Sequence, residues 1–139
     1  MRLPDWQKRF AEFGQARASM PFSWGSNDCC LFAAHAVEAV TGRNPMAEFE
    51  AYGTAAGPRR KALRRLLRAI DKAGGLRAFV TAHLGEPVSP RMAGVGDVVM
   101  VANEGDELVG VCNGVNVVAP GKDGMVCLSM SDAIAAWKI

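Results

Sequence analysis

A chain of 139 residues is long enough for one domain with a hydrophobic core and short for two. Half of its residues are hydrophobic and 22% are charged, the composition of an ordinary globular domain, with a formal net charge of +2. No apolar run approaches the ~20 residues of a membrane helix, and Met1-Arg2-Leu3-Pro4-Asp5-Trp6 lacks the layout of a secretory signal, so a soluble protein made in the cytoplasm is expected.

A first helix is predicted over residues 4–18, where Trp6, Phe10 and Phe13 recur at helical period and Asp5 stands at a first-turn or capping position. A loop with Pro21, Gly25 and Asn27 precedes a second helix from about Asp28 to Thr41. Asn27 or Asp28 can cap its start, and Gly42 suits a left-handed C-terminal position. Residues 43–57 read as irregular, with Asn44-Pro45 marking a turn and Tyr52 on a conceivable substrate-facing loop.

A third helix over about 58–73 sets Leu63, Leu66, Leu67 and Ile70 on one face. Residues 58–72 hold seven cations (Arg59, Arg60, Lys61, Arg64, Arg65, Arg68, Lys72) against Asp71, which leaves −4 for the rest of the chain. A short helix over about 76–84 follows Gly74-Gly75. Beyond Gly85 the pattern changes to short β-branched runs: Val98–Ala102, Leu108–Cys112, Val115–Ala119 and Met125–Leu128. Turn residues separate them, and Asn113-Gly114 predicts a type I′ hairpin. A last short helix is predicted from about Ser131, containing Ile134 and Trp137. Helices first and an antiparallel meander second define an α+β domain spanning residues 1–139.

Four cysteines occupy positions 29, 30, 112 and 127. Without an export signal, disulfides are not expected. With no CxxC spacing, neither a metal site nor a cofactor is predicted. Cys30, Cys112 and Cys127 read as buried free thiols. Cys29 differs, because it falls on the first turn of a helix, where the partial positive charge of the backbone favours thiolate. The alternative for Cys29 is a cysteine kept for packing alone.

Asp28-Cys29-Cys30-Leu31-Phe32 resembles the Asp-Cys-Ser-Gly-Phe signature of NlpC-type, papain-like cell-wall cysteine peptidases. Gly96-Asp97-Val98-Val99 resembles their Gly-Asp-Leu-Val segment, and Leu108-Val109-Gly110-Val111-Cys112-Asn113-Gly114 their His-Val-Gly-Ile-Tyr-x-Gly strand and turn. These matches frame residues 21–119. The opening around Trp24-Gly25 and the ending Ala136-Trp137-Lys138 are similar to small relatives from phage tail and prophage regions. The resemblance implies a papain-like domain with Cys29 as nucleophile or its vestige. It also implies a general base at Leu108 and an orienting polar residue near Val118, and both positions are apolar here. A general base contributes ~10²–10⁴-fold, so efficient hydrolysis does not follow. His35 is about 240° around the helix from Cys29, and no spacing brings His83 to it.

The expectation is a tail-associated structural or assembly protein of a phage or phage-derived particle, with other tail proteins as partners. The rival is an active cysteine peptidase cutting peptidoglycan through Cys29 and an unusual base such as His83. Trp24 and Asp28 are candidates for the cleft edge, and Arg60, Arg64 and Arg68 for a partner-docking face. A plain solvated face is the alternative for that helix, and Asp28 as a cap the alternative for Asp28. Nucleic acid is not the expected partner, because no aromatic residues interleave the arginines for base stacking.

Overall fold

The computed structural model describes residues 1–50 and 59–139, without the side chains of residues 50, 59, 60, 62 and 103. Among the described residues five helices come first: α1 (Trp6–Arg17), α2 (Cys29–Thr41), α3 (Ala47–Glu50), α4 (Arg59–Ala73) and α5 (Leu76–Leu84). Five strands follow: β1 (Val98–Asn103), β2 (Asp106–Cys112), β3 (Val117–Gly121), β4 (Gly124–Leu128) and β5 (Ala133–Trp137). They form one antiparallel sheet in the order β4-β3-β2-β1-β5. The fold is therefore α+β, as the order of sequence patterns indicates.

Helix α2 is the hub of the helical layer. Eight of its thirteen residues are buried, so it is apolar almost all round, as a helix covered on several sides must be. It lies on β2 and β3 and receives α1 on its outer side, where Phe13 meets Phe32 with ring centroids 5.1 Å apart. Its end follows the expected chemistry. Gly42 adopts φ 83°, and its N–H donates to Glu38 O at 2.7 Å. Helices α4 and α5 pack on one another, with Leu66 of α4 and Phe79 and Val80 of α5 turned into the core.

The sheet is covered on both faces. Val98, Met100, Val109, Val111 and Val118 point to the helices, while Val99, Val101, Cys112, Val117 and Ala136 form a second cluster on the reverse face. That second cluster is closed by Val88, Ala93 and Met130 from segments containing two 3-10 turns, Pro90–Met92 and Met130–Asp132. Both edges are shielded. Val88 and Ala136 exchange two backbone hydrogen bonds beside β5, and Met125 N–H of β4 donates to Ala18 O at 3.0 Å.

Four expectations are corrected. The stretch from Ser131 is a 3-10 turn followed by strand β5, and the predicted last helix does not form. Ala135 and Trp137 pair with Met100 and Val98, so long-range pairing with β1 outweighs a short apolar run that fits either period. Asn113-Gly114 is not a two-residue turn. Asn113 Oδ1 accepts from Val115 N–H and Asn116 N–H, β3 begins at Val117, and Val115 is left exposed. The tight turn with two positive φ values is Glu104-Gly105, at 52° and 85°. Finally, Cys127 is exposed, because β4 is an edge strand whose Val126 and Cys127 extend past their cover. A short helix, α3, also interrupts the segment read as irregular, and Tyr52 lies outside the described residues.

Candidate functional site

Cys29 opens α2, and the turn before it is held by two buried polar side chains. Asp28 is the N-cap. Its Oδ1 accepts from Leu31 N–H and its Oδ2 from Gly25 N–H, both at 2.9 Å, so one carboxylate fixes the helix start and the loop behind it. Asn27 closes the loop from the other side. Its Nδ2 donates to the carbonyls of Met20 and Pro21, and its Oδ1 accepts from Arg17 at 2.9 Å. Asn27 and Asp28 are 2% and 1% exposed, whereas Cys29 between them and the core is only half-buried. The turn thus presents one thiol in a fixed direction.

That direction is toward β2. The last β2–β3 pairings are Val111–Val118 and Cys112–Val117, and Val109 lies beyond them. The Val109 N–H donates to the Cys29 sulfur. Close approach of β3 at this point needs Gly110, since a Cβ there would sit 2.5 Å from Val118 O.

The Cys29 thiol is shifted below its ordinary range. The main cause is a hydrogen bond from the Cys30 thiol, helped by the N–H groups of Val109 and Cys30. Burial and the Asp28 carboxylate oppose it. Cys30, the buried donor of that bond, is pushed well up. The helix N-terminus works in the same direction for Cys29. This arrangement favours one reactive sulfur of the pair.

The two histidines of the chain are engaged elsewhere. His35 Nδ1 meets an Arg17 amino group between α1 and α2, so that Arg17 links His35 to Asn27. His83 Nδ1 contacts Phe79 O at 2.9 Å, and its Nε2 lies 3.8 Å from Glu48. Cys30, not Cys29, shares with His83 the wall of an apolar cavity of about 30 Å³. Leu108 packs into the reverse-face cluster, across the sheet from Cys29, and Val118 packs with the helix-facing core.

Trp24 stacks edge-on against Phe22 at 4.8 Å and is 38% exposed. With Asp28 it lines a crevice of about 10 Å³ whose other wall is Leu63 and Leu66 of α4. That is room for about one water among the described residues. Arg64 and Arg68 are exposed on α4, and the side chain of Arg60 lies outside the described residues. No group of three or more His, Cys, Asp or Glu able to hold a metal is found among the described residues. No helix there is long and apolar enough to cross a membrane.

One polar centre escaped sequence reasoning. Asp97 is fully buried and accepts hydrogen bonds from Arg2, Lys138, Gly94 N–H and Ile139 N–H. Arg2 also reaches the carbonyls of Val95 and Ile139, and its guanidinium lies 4.1 Å from the Trp6 ring. The Gly96-Asp97 motif was the available signal, but nothing local pointed to partners 95 residues upstream and 41 downstream.

Fold and site together define an α+β domain that aims a helix-start cysteine at an antiparallel sheet. Residues 1–139 match the model of a domain family of unknown function, DUF6950, and the chain belongs to that family. No curated protein and no solved structure matches it.

Proposed function

We propose that the chain is a tail-associated structural or assembly protein of a phage or phage-derived particle, built on a papain-like, NlpC-type frame without a working proton shuttle. One observation carries the loss of activity. Among the described residues the Cys29 sulfur is met by a thiol and by backbone N–H groups, with the charge of the Asp28 carboxylate nearby, while His35 and His83 are both engaged elsewhere. A leaving amine needs a proton at the moment its bond to carbon breaks, and no group in that set is a proton donor tuned near neutral pH. The order of the Asp28-Cys29, Gly96-Asp97 and Val109-Gly110 motifs supports the frame. The Trp24-Gly25 opening and the Ala136-Trp137-Lys138 ending support the link to phage tails.

The lowered Cys29 thiol favours a second reading, a cysteine peptidase acting on peptidoglycan peptides. A genetic test separates the two. In a phage that encodes the chain, deletion should abolish assembled infectious particles, and a Cys29→Ala copy should restore them fully. Restoration by the wild type only, with intact particles that fail to enter cells, would contradict the assembly role and favour the peptidase.

A further inference from the structure

We propose that the protein self-associates head to tail, the basic face of α4 on one copy seating against the acidic β1–β2 hairpin of the next. The inference rests on the assembly reading above and names the partner as a second copy of the same chain.

The first surface is a straight stripe. Lys61, Arg64, Arg68 and Lys72 follow one another at intervals of three or four residues, and all are exposed. Lys61, Arg64, Arg68 and Lys72 form no ion pair among the described residues. Leu67, next to Arg64 on the helix surface, is 50% exposed. An exposed leucine beside arginines suits a protein surface with acidic and apolar parts, and gives nothing to a phosphate backbone.

The second surface has the complementary charge. Residues 92–121 contain no lysine or arginine, and Glu104, Asp106 and Glu107 stand exposed at the tip of the hairpin. They too are unpaired among the described residues. The turn is tight, so the three carboxylates lie within four consecutive residues at one end of the sheet. Glu104 holds φ 52° at a position where Asn or Gly costs less.

The two surfaces differ, so the contact joins unlike faces. Such a contact closes into a ring, the smallest being a two-fold dimer in which each copy offers both faces, or runs on as an open chain. Attraction between exposed charges is screened beyond about 10 Å at 0.1 M salt, which makes the association salt-dependent.

Sedimentation of the full chain, freed of nucleic acid, tests this at roughly 20 mM and 500 mM salt. Dimers or larger assemblies are expected at low salt and monomers at high salt. Arg64→Glu with Arg68→Glu, or Glu104→Lys with Asp106→Lys, should each weaken association at least about tenfold, roughly 1.4 kcal/mol. An equimolar mixture of the two variants should associate again, because each then offers the face the other lacks. That recovery also shows that both variants are folded. A wild type that stays monomeric at low salt, association that survives either reversal, a mixture that stays monomeric, or assembly only with added nucleic acid would each overturn the proposal. Peptidoglycan hydrolysis by an associating protein would remove the reading above and leave this one. A monomer still required for particle assembly would do the reverse.

Discussion

The turn at Cys29 invests two buried polar side chains in the direction of one thiol. Asn27 and Asp28 together satisfy Met20, Pro21, Gly25 and Leu31, where a cysteine kept for packing needs only apolar neighbours. The cap at Asp28 was legible in sequence because capping is local, fixed by residues three apart. The burial of Asn27 was not, since it depends on Arg17 from α1. The arrangement predicts that, in a Cys127→Ser background that removes the exposed thiol, Cys29 is alkylated faster below pH 8 than a free cysteine of ordinary acidity. Cys30→Ala should move the Cys29 titration upward, since the hydrogen bond from the Cys30 thiol is the main support of the thiolate. A pH–rate profile of iodoacetamide labelling, followed by mass spectrometry, reads both.

Among the elements, the sheet is tied to the start of the chain by Asp97. Arg2 and Lys138 reach one buried carboxylate from opposite ends of the sequence, and two backbone N–H groups complete its shell. Burial alone pushes the Asp97 carboxyl up, but the Lys138 ammonium and the N–H groups of Gly94 and Ile139 outweigh it and hold the group below its ordinary range. A carboxylate depressed in the folded state contributes stability that is fully present above the unfolded value of about 3.9 and is lost as pH falls through the folded value. Urea midpoints should therefore drop from neutral pH toward pH 3 by more in the wild type than in Asp97→Ala. At neutral pH the substitution itself should cost about 3 kcal/mol, because it strands Arg2 and two N–H groups. The same scale shows where sequence reading ended. Helices α2 and α4 were legible from caps and periodicity. Strand β5 was not, because Ile134-Ala135-Ala136-Trp137 carries no period of its own and takes its form from β1.

For the molecule as a whole, the division into helical layer and sheet followed from the order of patterns, while what the sheet does to Cys29 did not. The folded chain places Leu108 across the sheet from the sulfur, Val109 N–H on it, and both histidines among other partners. Taken together these describe a thiol held below its ordinary range while both imidazoles are bonded elsewhere. The most direct measurement is release of new amino groups from purified peptidoglycan by the wild-type protein and by Cys29→Ala across pH 5 to 9. No release above that of Cys29→Ala is predicted at any pH. Release by the wild type that disappears on Cys29→Ala would contradict the account.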